Sequence, residues 1–227
     1  MLDLEEAYGG ESSILTYKTQ LLMHIFATEG VCGVGGQYAF LFKTDADSFV
    51  DLSLLHNRVN SRVNNDYVGI LLGGPDNPSS VPVRDPTSKR YISKSTYGRA
   101  NFPFYLSGKG YLLSRRAAEC MAGQMATQKF MPLEDVATGL LAEDCTAAGV
   151  KVPPFGDDGF QMRSGYYHSR DLSKLHTAAD GASWNENVIL RTDVGPGEMR
   201  ELSLLAGIIR ATAELAELVE ARKAPKG

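Results

Sequence analysis

No stretch of the 227 residues approaches the roughly 18 consecutive apolar residues that span a bilayer. The first residues, Met1-Leu2-Asp3-Leu4-Glu5-Glu6, are acidic and lack the basic and apolar parts of a secretory signal. As written, the chain reads as soluble. Basic charge is also short: 23 Lys and Arg stand against 27 Asp and Glu, a net charge of −4 with no basic stripe. That argues against nucleic acid as a partner. Cysteine is scarce. Cys32, Cys120 and Cys145 show no C-x-x-C spacing, so zinc is not suggested and the redox compartment stays undecided. An odd number leaves at least one thiol unpaired within the chain. The four histidines, His24, His56, His168 and His176, form no H-x-x-x-H or H-x-E pattern, and neither an N-x-S/T acceptor nor an internal repeat is present. What the chain does have is 43% hydrophobic residues, enough at this length for one packed core but not for two large domains.

Helices and strands alternate along the sequence. Residues 12–28 read as a helix with Leu15, Leu21, Leu22 and Ile25 on one side. After the turn at Gly33-Val34-Gly35-Gly36, the run Tyr38-Ala39-Phe40-Leu41-Phe42 reads as a buried strand. Asp51 can cap a helix carrying Leu52, Leu54, Leu55, Val59 and Val63. Tyr67–Leu72 is a second strand, and the Gly-, Pro-, Asn- and Ser-rich stretch 73–86 is a loop. Short extended pieces follow around Tyr91-Ile92 and Phe104-Tyr105-Leu106. Gly110–Leu113 then leads through Ser114, a good N-cap, into a helix ending at Met125. Another helix starts near Pro132-Leu133-Glu134-Asp135 and ends by Gly149. Such alternation predicts an α/β sheet with helices on both faces. From about Glu198 to Arg222 an apolar stripe marks a C-terminal amphipathic helix, read as packed on the domain or as a partner-binding element.

Two pairs of carboxylates could carry chemistry. Asp45-Ala46-Asp47 follows an apolar strand directly, and ligands in open α/β sheets sit at the carboxyl ends of strands. Carboxylates at i and i+2 can turn to one hard cation such as Mg²⁺ or Mn²⁺, which can grip a diphosphate. The tripeptide is common, however, and alone it reads more readily as turn or helix-capping aspartates. Glu134-Asp135 offers a general base for an attacking hydroxyl. It is also what any helix start gains from its dipole. Ser107 in Leu106-Ser107-Gly108-Lys109-Gly110 does not make a G-x-S-x-G elbow, so a serine hydrolase is discounted.

Several segments, in order, resemble the β-1,3-galactosyltransferase and β-1,3-N-acetylglucosaminyltransferase family (glycosyltransferase family 31, which includes the Fringe proteins). Leu15-Thr16-Tyr17-Lys18-Thr19 is similar to its N-L-T-L-K-T helix, and Lys43–Val50 (KTDADSFV) to K-T-D-x-D-x-F-V. Pro82-Val83-Arg84 with Lys89-Arg90-Tyr91-Ile92-Ser93 resembles P-x-R…K-W-Y-x-S. Phe102–Tyr111 (FPFYLSGKGY) resembles Y-P-x-Y-x-S-G-x-G-Y, and Leu133-Glu134-Asp135-Val136 with Gly139 resembles L-E-D-V-x-x-G. The likeness covers residues 12–150, with a weaker echo over 188–199.

The resemblance implies a GT-A-like, Rossmann-type mixed sheet, without the first strands with which the family domain opens. It implies a catalytic domain over residues 1–199, N-terminally truncated relative to the family, followed by the C-terminal amphipathic helix and tail over 200–227. The implied activity is inverting transfer of a hexose or N-acetylhexosamine from a UDP-sugar to a hydroxyl of a glycan or glycoprotein, through a β-1,3 linkage. Asp45 and Asp47 would bind Mn²⁺ (or Mg²⁺). Lys43 and Arg84 would join them in binding the donor. Asp135 would be the base, while Glu134, Tyr91 and the segment Ser107, Gly108, Gly110, Tyr111 would shape the donor and acceptor pocket. The family also implies the lumenal face of the Golgi membrane, held by an anchor in the segment that would precede this chain.

Two positions depart from the pattern. Arg90 stands where the family has Trp in K-W-Y, which removes a flat surface for stacking on sugars. Thr192 aligns with a metal-binding histidine, for which Asp193 or His176 would have to substitute. The missing first strands, Thr192 and the C-terminal helix motivate a second reading: a catalytically decayed GT-A-like module that binds glycan or protein. A two-metal phosphoester hydrolase is disfavoured, since the chain lacks the His and Asp cluster such a site needs.

Overall fold

The computed structural model describes residues 14–28, 38–45, 48–61, 65–161 and 190–191. In chain order the elements are α1 (Leu15–Thr28), β1 (Phe40–Thr44), β2 (Phe49–Val50), α2 (Leu52–Ser61), β3 (Tyr67–Gly73), β4 (Phe104–Ser114), α3 (Arg115–Gln124), α4 (Glu134–Ala147), β5 (Pro154–Gly156), β6 (Phe160–Gln161) and β7 (Leu190–Arg191). A four-stranded mixed sheet runs β1-β4-β3-β5, antiparallel except for the parallel β3–β5 pair. A smaller sheet runs β2-β7-β6. The expected α/β class, a GT-A-like mixed sheet with helices about it, is borne out. The C-terminal helix expected beyond residue 199 lies outside the described residues, and no helix among those described is long and apolar enough to cross a membrane.

Strand alternation divides the core in two. On one face Tyr67, Tyr111 and Leu113 meet Met23 of α1, Met121 of α3, and Leu141 and Cys145 of α4. On the other, Val68 and Leu112 meet Leu55 of α2 and Phe160, with Phe40 and Phe42 of β1 packed alongside. Asp51 caps α2 as expected, its Oδ1 accepting from the amides of Ser53 and Leu54 at 3.0 and 3.1 Å. Ser114 caps α3, accepting from the Ala117 amide at 3.1 Å.

Three expectations are corrected. The inward stripe of α1 is Thr16, Thr19, Met23 and Phe26, while Leu21 and Leu22 are exposed. The helix is rotated because it packs between α3 and α4, where Thr16 Oγ1 donates to the Met131 carbonyl at 2.8 Å. Burying a threonine costs little once its hydroxyl is bonded. Second, residues 104–114 form one strand, not two pieces. Glycine ordinarily weakens a strand interior, yet a Cβ on Gly108 would lie 2.6 Å from Glu134 Oε2, so the glycine serves a close approach rather than a break. Third, the extended piece at Tyr91-Ile92 makes only an isolated bridge, Val83 to Tyr91.

Cys120 of α3 and Cys145 of α4 form a disulfide, with Cα atoms 5.9 Å apart. No sequence spacing signalled it, because the partners sit on separate helices that only packing brings together.

Candidate functional site

β1 carries Lys43-Thr44-Asp45 out of the sheet beside the Ser107–Gly110 part of β4. Lys43 lies opposite Tyr111 and Thr44 opposite Gly110 in the antiparallel register. The Lys109 carbonyl accepts from Thr44 Oγ1 at 3.1 Å and from the Asp45 amide at 3.2 Å. The Asp45 carbonyl in turn accepts from the Ser48 amide at 3.2 Å. These bonds use the backbone of Asp45 and leave its carboxylate 42% exposed at the strand end. Asp47 lies outside the described residues.

The first turn of α4 supplies the second half. No side chain caps this helix; Leu133 occupies the N-cap, and Glu134 and Asp135 follow. Gly139, one turn further on, lets the helix lie against β4, since a Cβ there would fall 2.6 Å from Tyr105 Cβ. That contact gives the glycine of L-E-D-V-x-x-G a physical reason. Glu134 points inward. Its Oε1 accepts from the Tyr111 hydroxyl at 2.5 Å, and its Oε2 lies 3.7 Å from Lys43 Nζ. Lys43 Nζ also donates to Asp45 Oδ1 at 2.8 Å and to the Gly108 carbonyl. Asp135 is half-buried, and one oxygen accepts from the Val136 amide at 2.9 Å.

Burial governs the charges. Glu134 is pushed up from 4.5 to about 7, chiefly by desolvation, with Lys43 opposing and Asp135 adding to the rise. Desolvation also raises Asp135, against the pull of the backbone amides of Val136 and Gly108. A carboxylate raised towards neutrality in the first turn of a helix is suited to accept a proton.

Lys43, Asp45, Gly108, Tyr111, Glu134 and Asp135 thus form one connected group, and Gly110 lies beside it. Ser107 is buried in β4, its Oγ accepting from the Lys109 amide at 3.4 Å. Arg84 is engaged elsewhere: its guanidinium donates to the carbonyls of Ile92, Tyr97 and Arg99 at 2.7, 2.8 and 3.3 Å, holding the 83–99 loop together. Tyr91 belongs to that loop. Thr192, Asp193 and His176 lie outside the described residues.

Sequence reading missed three members of the surroundings. Thr138 Oγ1 lies 3.4 Å from the Tyr111 hydroxyl and donates to the Glu134 carbonyl at 3.0 Å. Its place four residues after Glu134, on the same helix face, was the available signal. Tyr67 accepts from the Leu106 amide at 3.2 Å, where the β3–β4 register shifts. Tyr105 donates to the Ser79 carbonyl at 3.2 Å and stands within electrostatic reach of Asp135.

Among the described residues no group of three or more His, Cys, Asp or Glu could hold a metal ion, and the donor chemistry suited to a divalent cation at the strand end rests on two aspartates. Asp45 presents a hard, half-exposed carboxylate there, and Asp47 follows two residues on.

Comparison with known proteins gives a consistent result. Residues 1–153 match a family model described as Galactosyltransferase. The chain is 33% identical over 152 residues to Beta-1,3-galactosyltransferase GALT1 of Arabidopsis thaliana, covering 65% of this chain and 22% of that protein. It is 30% identical over 176 residues to human UDP-GlcNAc:betaGal beta-1,3-N-acetylglucosaminyltransferase 9, covering 74% and 43%. It is 32% identical over 109 residues to human Beta-1,3-galactosyltransferase 5, covering 47% and 34%. The chain therefore spans less than half the length of each of these relatives.

Proposed function

The chain belongs to the galactosyltransferase family, and on that premise we propose that it carries the catalytic part of an inverting, metal-dependent UDP-sugar β-1,3-glycosyltransferase. Its acceptor is a hydroxyl of a glycan or glycoprotein. The catalytic unit takes in residues 1–199, with the 200–227 segment as an appendage to it.

One observation carries the reading. Asp45 at the end of β1 and Asp135 at the start of α4 are joined through a single lysine and a glycine, so a donor-side carboxylate and a base-side carboxylate belong to one bonded group. Asp135 is the better base of its pair because it is half-buried, whereas the side chain of Glu134 is 3% exposed and both its oxygens are engaged. Asp135 takes the proton of the acceptor hydroxyl as that oxygen bonds to the anomeric carbon. The bond from that carbon to the diphosphate breaks, and its electrons leave with UDP. A single displacement inverts the anomeric centre and needs no enzyme nucleophile. Asp45 and Asp47 would hold Mn²⁺ or Mg²⁺, which when bound neutralises charge on the departing diphosphate. Tyr91, Ser107, Gly110 and the loop held by Arg84 line the donor and acceptor side.

The lumenal face of the Golgi membrane is the proposed location. The disulfide between Cys120 and Cys145 supports it, because such bonds persist in oxidising compartments.

Transfer from a panel of UDP-sugars to β-linked glycan acceptors, with product stereochemistry read by NMR, tests the proposal. A β-linked product from an α-linked donor is the expected outcome, with turnover lost in Asp135→Asn. Full turnover in that variant, or retention of configuration, would refute the mechanism.

A further inference from the structure

Lys43 and Glu134 meet deep in the site, and neither has a free side to offer a substrate. An ammonium has three protons, and Lys43 Nζ faces three acceptors: Asp45 Oδ1, the Gly108 carbonyl and Glu134 Oε2. Its side chain is 10% exposed and that of Glu134 is 3%. The remaining oxygen of Glu134 takes the Tyr111 hydroxyl, and the missing side chain of Gly108 is what admits Oε2 beneath β4. A sugar or phosphate reaching either group would first have to break this set.

We propose that Glu134 is a positioning residue and not a sugar contact: held by Tyr111, it fixes the Lys43 ammonium against Gly108 and Asp45, and so sets the orientation of the Asp45 carboxylate. Lys43 is then a strut within the protein rather than a ligand of the donor phosphates. The arrangement joins the first turn of α4, which carries Asp135, to the end of β1, so the base and the donor carboxylate keep one spacing. Gly108 belongs to the same unit, because a side chain there would expel Glu134 from its seat. The inference rests on the donor-site reading of Asp45.

The test uses the full chain and Glu134→Gln, which keeps the shape and an acceptor for Tyr111 but removes the charge that holds Lys43. At about pH 8, where Glu134 is ionised, acetylation of each lysine by an N-hydroxysuccinimide ester is followed by mass spectrometry. Lys43 is expected to react about tenfold faster in the variant, as loss of one charge-assisted contact gives. Calorimetric titration with UDP and Mn²⁺ is expected to show weakened binding, while the KM for acceptor stays at the wild-type value. Unchanged acetylation of Lys43, or a raised acceptor KM with unaltered UDP binding, overturns the proposal. Tyr111→Phe removes only a hydroxyl and is expected to shift Lys43 acetylation in the same direction by a few-fold, about the effect of one neutral hydrogen bond. It decides the matter if Glu134→Gln does not fold. A wild-type chain that is folded yet binds no UDP with any divalent cation contradicts the functional reading itself, whereas the acetylation pattern still decides whether Glu134 holds Lys43.

Discussion

Lys43 touches two carboxylates in different surroundings. Asp45, where β1 leaves the sheet, keeps 42% of its side chain exposed; Glu134, in the first turn of α4, keeps 3%. The strand end is open, and its backbone is spent on bonds to the Ser48 amide and the Lys109 carbonyl. The helix start is closed, pinned by Gly139 against Tyr105 and by Glu134 beneath Gly108. An open carboxylate can meet a cation at little cost to the fold. A closed one spends its interactions on geometry. Changes at the helix start should therefore disturb stability and chemistry together, and changes at the strand end should disturb binding alone.

The largest effect is expected at the base. Asp135→Asn should lower kcat by about 10³-fold, within the range for a general base, while UDP binding measured by calorimetry stays near wild type. A variant that loses binding as well would place Asp135 on the donor side and blur the comparison. Next comes pH. Because Glu134 titrates at about 7 in the folded chain and at an ordinary 4.5 when exposed, the native state keeps a proton that the unfolded state has lost. Stability contributed by this group is fully present below about pH 4.5 and is lost as the pH rises to about 7. At ~1.36 kcal/mol per unit, the fall is on the order of 3 kcal/mol. Urea melts across that window should show the slope in the wild type, and Glu134→Gln should flatten it.

Gly139→Ala is expected to destabilise by about 2 kcal/mol, the cost of overpacking a tight helix–strand contact, seen as a lowered Tm. An unchanged melt would show that α4 can shift away from β4 freely. The smallest effect belongs to the strand end: Asp45→Asn should change stability by no more than about 1 kcal/mol, because the carboxylate of its pair with Lys43 stays 42% exposed to screening solvent.

The same contrast explains what the sequence could reveal. The caps at Asp51 and Ser114 and the strand at Tyr67 were legible because each depends on a few neighbouring residues. The candidate site residues Asp45, Glu134 and Asp135 were singled out only through the order of motifs that resembles a family; D-x-D and E-D alone fit a turn and a helix start. Long-range contacts stayed hidden. The Cys120–Cys145 pair, the inward Thr16 and Thr19 of α1, and the unbroken β4 through Gly108 all follow from how helices seat on the sheet. Arg84 shows the converse: its motif position follows the family order, while its side chain holds a loop.

The central claim is a metal-dependent donor site at the end of β1, held in register with the base on α4. Titration of UDP into the purified chain by calorimetry, with and without Mn²⁺ and alongside Asp45→Asn and Asp47→Asn, tests it most directly. The account predicts binding that requires both the cation and the two aspartates, with the variants as stable as the wild type. Binding that is indifferent to Mn²⁺ and to both substitutions would contradict it.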